Sequence, residues 1–273
     1  MEIYRLMSEK AAKKAPAKTP GKTPRKSPAK GPGKPALTPA RRLAAIGAVL
    51  ALLVAVVAAG IAIAGGSGKH RPAAGSSADP QQKVYDQVER TTSRREKADP
   101  LALGRADAPV VLVEYADYQC SFCGRFTRES QPELIKKYVD TGVLRMEFRN
   151  FPIFGEPSSR AARASWAAGQ QGRFWQFHDE LYAKTRKGAA LAEDKLVDLA
   201  RDAGIKDLDR FRTDMNGSAA EAAVNKDQEE GYRLGVQSTP SFLVGGRPLA
   251  GAQPMSEFEQ AIEQAKAAAG AKK

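Results

Sequence analysis

Asp117–Phe126 reads DYQCSFCGRF and holds both cysteines of a 273-residue chain. The run before it, Val110–Tyr115 (VVLVEY), is short, mostly apolar and rich in β-branched residues, the composition of a strand buried on both faces. In the run after it, Phe122, Phe126, Leu134, Ile135 and Tyr138 fit one helical face, with a kink at Pro132 and a stop at Gly142. Val143–Phe148 then returns to strand. Strand, helix and strand in this order favour a parallel pair joined by a right-handed crossover. The cysteines therefore stand at the corner where strand gives way to helix, Cys120 at the helix start and Cys123 one turn inside.

That corner sets their chemistry. The first turn of a helix has unpaired N–H groups and the positive end of the dipole, so a thiolate is favoured there. A thiol of pKa ~8.5 is ~3% ionised at pH 7 and one near ~6 is ~90% ionised, a range that helix N-termini and CxxC motifs reach. Arg125 and Arg128 are expected to add to the effect. At i,i+3 spacing the two Cα atoms lie ~5 Å apart, inside the window a disulfide tolerates. Other uses of the pair fit less well. Zinc needs four ligands, and the remaining candidates are only His70 and His178, remote in sequence, so no metal is expected. Inert buried thiols belong in deep core rather than at a strand-to-helix corner. A static bridge over three residues closes too small a loop to stabilise much.

Farther out, Gln81–Lys97 has helical character with Val84 and Val88 on one face, and the folded domain is expected to begin near Asp99 and run to about 270. Residues from about 157 to 234 read almost wholly helical. The chain returns to strand at Ser241–Val244, turns at Gly245-Gly246 and ends in a helix from Met255 to about Ala268. The fold class is thus α/β, with a helical block of about 157–234 inserted between two halves of a small sheet.

At this point the residues carry a resemblance. DAPVVLVEYADYQCSFCGRF, residues 107–126, resembles the active-site segment of the DsbA-like branch of the thioredoxin superfamily, and GVQSTPSFLVGG, residues 235–246, resembles its Thr-Pro loop. The closing AGAQPMSEFEQAI, residues 250–262, is similar to the family's last turn and helix, so the likeness covers about residues 100–265. It implies a thioredoxin-like fold in which Pro240 is cis, follows Thr239, and holds substrate backbone beside the Cys120–Cys123 disulfide. It also implies an acidic residue six positions before the first cysteine. Glu114 stands there, and a carboxyl buried beneath the disulfide exchanges protons with Cys123. Asp117, nearer in sequence, is an alternative helix-capping residue. The dipeptide between the cysteines, Ser121-Phe122, lacks the histidine of the most strongly oxidising members. His178, in FWQFHDEL, reads as a helix-packing residue rather than a replacement. Trp166, Phe174, Trp175 and Phe177 read as core of the inserted block.

The ends of the chain say where this chemistry happens. The formal charge of +12 sits mostly in residues 1–42, which carry twelve Lys/Arg against two Glu. Repeats such as Lys18-Thr19-Pro20 and Lys22-Thr23-Pro24 remove backbone donors and repel one another, so this tail is read as disordered. Its charge gives the folded part no nucleic-acid role. Leu43–Ala64 runs 22 residues without a charge, ~33 Å as a helix, enough to cross a bilayer. Ala62-Ile63-Ala64 has the form of a signal cleavage site, but the apolar run exceeds the ~7–15 residues of a signal core, which favours an uncleaved anchor. Lys/Arg before the helix stay cytoplasmic. Residues 65–98 are then a linker, beginning GGSGKHRPAAGSSADP, and the domain beyond is extracytoplasmic.

The expectation is a single-pass, membrane-anchored thiol:disulfide oxidoreductase that donates its disulfide to thiol-bearing exported proteins. It needs no cofactor, and a membrane quinone-linked partner, DsbB-like or VKOR-like, reoxidises it as the resemblance implies. The alternatives are a reductase or isomerase using the same cysteines, and a thioredoxin-like peptide-binding module.

Overall fold

A computed structural model describes residues 80–271. The expected tail at 1–42, the expected membrane helix at 43–64 and the expected linker up to 79 lie outside these residues. Among the described residues no helix is long and apolar enough to cross a membrane.

The chain opens with α1, Pro80–Thr92, and a two-residue strand β1, Ala102–Leu103. β2, Val110–Ala116, follows and is buried at every position. Continuous burial is what its apolar, β-branched composition demands, since it lies between two neighbours. The expected helix past the cysteines is two helices: α2, Ser121–Glu129, and the short α3, Gln131–Leu134, which continues as a π-turn over Ile135–Val139. Pro132 does more than kink one helix, because without an N–H it sits best in the first turn of a new one. Gly142, at φ 75°, then lets the chain reverse into β3, Leu144–Asn150. β3 pairs with β2 in parallel, with Glu114 opposite Phe148, as the strand, helix, strand order requires.

The helical block comprises α4, Glu156–Gly169; α5, Phe174–Tyr182; α6, Glu193–Asp202; α7, Leu208–Asn216; and α8, Ser218–Arg233. The chain returns as β4, Ser241–Val244, antiparallel to β2, and β5, Arg247–Ala250, before α9, Met255–Gly270. The sheet order is β1-β3-β2-β4-β5. β5 is absent from the sequence expectation because Pro248 breaks its strand pattern, and an edge strand tolerates that proline. Gly245 and Gly246, at φ 54° and 76°, supply the two left-handed residues of a tight hairpin turn between β4 and β5.

One face of the sheet is closed by Phe126 of α2, whose ring centroid lies 4.6 Å from that of Phe242 and 5.2 Å from that of Phe258. These three rings fix the helix carrying Cys123 against the strand that follows Pro240, and truncating Phe126 to alanine costs about 3–5 kcal/mol, as is usual for an emptied aromatic site. On the opposite face Val111, Val113 and Tyr115 pack with Phe151.

The fold also reaches back beyond the expected start near Asp99, so residues 80–98 are not linker. The Arg94 and Arg95 amides donate to the Glu147 carboxylate at 2.9 and 2.8 Å. Tyr85 of α1 lies under the Arg247 guanidinium, 4.6 Å from its ring centroid. Val84, read with Val88 on one helical face, is 59% exposed, and α1 docks through Tyr85.

Candidate active site

The fold converges on the start of α2. Cys120 is its N-cap residue, extended at φ −75° and ψ 116°, and its carbonyl accepts from the Gly124 amide at 3.1 Å. The turn before it is set by Asp117, whose side chain accepts from the Gln119 amide at 2.7 Å. Cys123, one turn on, faces the sheet. The two sulfurs are therefore unequal: Cys120 is 7% exposed and Cys123 is fully buried.

Their acidities separate in the same sense. The Cys123 thiol stabilises the Cys120 thiolate most, and against the cost of burial the Thr239 side chain and the Cys123 and Phe122 amides also favour it, lowering its pKa to about 6. Burial, the hydrogen bond given to Cys120 and the charges of Cys120 and Glu114 push Cys123 well above the usual thiol range. The Cys123 thiol contributes more to this lowering than the helix amides do. Neither Arg125 nor Arg128 is among the largest contributors. Arg125 donates to the Ala252 carbonyl at 2.7 Å and lies over the Phe122 ring, and Arg128 donates to the Tyr182 carbonyl at 2.6 Å.

β4 delivers the Thr-Pro loop to this sulfur. The Thr239–Pro240 peptide is cis, and the Cys120 thiol donates to the Thr239 carbonyl at 3.1 Å. The Ser241 hydroxyl closes the turn by donating to the Ser238 carbonyl at 2.7 Å. Beneath the pair, Glu114 is buried and neither carboxyl oxygen has a hydrogen-bond partner. Burial and then the Cys120 charge raise its pKa to about 8, so it carries a proton at neutral pH.

Asp117 does not cap α2. Its carboxylate is buried and accepts from the Ile153 and Phe154 amides at 2.7 and 3.1 Å and from the Ser158 hydroxyl at 2.7 Å, tying the site to the start of the helical block. Gln119 adds to this tie, donating to the Phe154 carbonyl and accepting from the Gly188 amide. His178 is packed among rings, as expected: its centroid lies 5.3 Å from that of Phe148 and 5.0 Å from that of Tyr182. Sequence reasoning did not single out Tyr118 and Tyr182, whose rings meet at 4.9 Å behind the cysteines. They come from separate elements, and no local spacing pairs them. Phe122, between the cysteines, is 55% exposed and offers an apolar surface beside Cys120.

Such a pair, one sulfur slightly exposed with a low pKa and one fully buried with a high pKa, is suited to thiol–disulfide exchange at the more accessible sulfur. Comparison with known proteins agrees. A family model described as Thioredoxin matches residues 96–264. A probable disulfide bond formation protein D of Bacillus cereus is 33% identical over 150 residues, 53% of this chain and 69% of the relative. Among solved structures, oxidised BdbD of Bacillus subtilis superposes with a TM-score of 0.58 at 27% identity, covering 63% of this chain and 94% of that one. A thioredoxin-like oxidoreductase of Silicibacter pomeroyi gives a TM-score of 0.54 at 30% identity, covering 62% and 97%.

Proposed function

The chain belongs to the thioredoxin family as a DsbA-like thiol:disulfide oxidoreductase, and on that premise we propose that it donates the Cys120–Cys123 disulfide to exported proteins outside the cytoplasm. What supports the direction is the arrangement around Cys120, where the buried Cys123 thiol beside it and the Thr239 side chain lower its pKa to about 6. A stabilised thiolate stabilises the reduced protein, and whatever stabilises the dithiol form makes the disulfide a stronger oxidant.

In this mechanism a substrate thiolate attacks Cys120 Sγ, since Cys123 is out of reach. The Cys120–Cys123 bond breaks, its electron pair goes to Cys123 Sγ, and Glu114 supplies the proton that this poorly solvated sulfur takes up. A second substrate thiol loses its proton to solvent and attacks the substrate sulfur of the mixed disulfide. Cys120 departs as a thiolate, a good leaving group because of its low pKa. The substrate has lost two electrons and the cysteine pair has gained them. Thr239 and Pro240 line the site beside Cys120 and hold the substrate backbone in an extended form. The apolar segment 43–64 anchors the domain to the membrane with residues 1–42 in the cytoplasm, and a quinone-linked membrane protein restores the disulfide.

The equilibrium with glutathione tests the direction. An oxidant holds the dithiol form at glutathione ratios that leave ordinary structural disulfides intact, and a strongly reducing potential overturns the donor role. Cys123→Ala is expected to trap exported proteins on Cys120 as mixed disulfides. Recovery of none from cells favours a peptide-binding module instead.

A further inference from the structure

The ring cluster behind Cys123 carries polar atoms that the exchange steps leave unused. Glu114 and Phe148 are cross-strand neighbours, so the carboxyl and the ring share one face of the sheet. Tyr118 stacks on Phe148 with centroids 5.7 Å apart and meets Tyr182 at 4.9 Å, while His178 stands edge-on to both Phe148 and Tyr182. Within this cage the Tyr118 and Tyr182 hydroxyls, His178 Nε2 and both Glu114 oxygens have no hydrogen-bond partner in the protein. Ser165 is close enough to favour the Tyr118 phenolate, but its hydroxyl is directed to Asn150 Oδ1 and the Ala162 carbonyl.

One stranded polar atom costs about 1–3 kcal/mol. Several in one compartment point to a shared ligand, and internal water making two to four hydrogen bonds is what buried polar groups of this kind hold. The other nitrogen of the histidine faces outward: Nδ1 lies 3.1 Å from Asp179 Oδ1, on a side chain that is 37% exposed. An imidazole takes a proton on one nitrogen and gives it up from the other, so this ring joins a closed compartment to solvent.

We propose that Tyr118, Tyr182 and His178, bridged by internal water, form the path by which Glu114 exchanges its proton with solvent, with Asp179 at the outlet. The path rests on Glu114 as the proton partner of Cys123. When Cys123 leaves the disulfide and takes the Glu114 proton, the carboxylate is refilled along it. When the disulfide is restored, the proton that Glu114 removes from Cys123 departs by the same route. Glu114 is faced by Cys120 and Cys123 from α2, by Tyr118 from the corner before it and by Tyr182 from α5, and Tyr118 also feels Asp179.

A rapid pH jump across about 8 on the reduced full chain tests this, with the Glu114 carboxyl followed by infrared difference spectroscopy and its band assigned with Glu114→Gln. Tyr182→Phe, which keeps the ring, and His178→Gln are each expected to slow departure of the proton about tenfold or more, the scale on which positioned proton-transfer groups act. Both leave the titration midpoint where the unsubstituted chain has it, because a path sets a rate and not an equilibrium. Departure at the unsubstituted rate in Tyr182→Phe overturns the proposal, and so does slowing accompanied by a shifted midpoint, the mark of damaged packing. A chain that exchanges no disulfide with a dithiol peptide overturns the donor mechanism instead, whatever the pH jump returns.

Discussion

Glu114 is an acid held in its neutral form, and that has a cost readable in stability. Its folded pKa of about 8 lies above the ordinary value of 4.5, so the folded chain keeps a proton that the unfolded chain has released. The stability tied to that proton is fully present below about 4.5 and is lost as pH rises through about 8. Glu114→Gln keeps the shape and removes the titration. It is expected to stabilise the reduced protein at pH 9 relative to the parent, on the order of 5 kcal/mol, and to change it little at pH 4. Urea unfolding at the two pH values checks this, and an equal effect at both would mean that Glu114 does not titrate in the folded state. Thr239 offers a companion measurement. Its buried hydroxyl, which bonds no other protein group, helps to hold the Cys120 pKa down by favouring the thiolate. Thr239→Val is therefore expected to raise the midpoint of the ultraviolet thiolate titration from about 6. Cys120, Cys123, Glu114 and Pro240 are legible in sequence because each sits within a short window whose order carries its meaning. Asp117 was not, because its partners Ile153, Phe154 and Ser158 come from a different part of the chain.

Elements show the same division between local and distant causes. β2 follows from β-branched composition, β3 and β4 from short runs bounded by the turn glycines Gly142 and Gly245-Gly246, and the helical block from its long run without strand signals. β5 did not, since the paired left-handed glycines of its turn are visible only as a dipeptide and Pro248 argues against a strand. The division of α2 from α3 is a matter of packing that a proline alone underdetermines. α8 illustrates how tightly such packing is set. Gly231 lies against Phe151 and Tyr115, and a Cβ there falls 2.5 Å from Phe151 Cε2 and 3.2 Å from Tyr115 Cδ1. Alanine in place of an interior glycine ordinarily gains a helix about 1 kcal/mol. Here overpacking, about 1–3 kcal/mol, exceeds that gain. Gly231→Ala is expected to lower the thermal midpoint, and a rise would show that Phe151 yields freely. The Tyr115–Phe151 contact is the one to loosen, and with it the ring support behind β2.

At the scale of the molecule, one ionic network binds the segment after α1 to the sheet and to α8. Glu147 is fully buried and accepts from Arg145 at 2.8 Å and Arg149 at 2.9 Å besides the Arg94 and Arg95 amides. Arg149 also meets Glu230 at 3.0 Å, and Arg94 meets Asp227 at 2.6 Å. A carboxylate taken from water pays for burial, but the Arg145 hydrogen bond, the Arg94 amide and the Arg149 charge outweigh this and hold Glu147 at about 2. Because that value lies below the ordinary 4.5, its stabilisation is complete above about 4.5 and is lost as pH falls toward about 2. Glu147→Gln leaves Arg145 and Arg149 buried beside a neutral amide, a change that costs about 3–5 kcal/mol at pH 7 where one partner of a buried pair is removed. As pH falls, the parent loses the same charge by protonation, so the two unfolding curves are expected to draw together below about pH 4.5 and to converge only below about pH 2. A gap that persists undiminished into acid would mean that shape, rather than charge, is what Glu147 contributes. Convergence would make this network the acid-sensitive clasp between the segment entering the domain and the sheet that carries the cysteines.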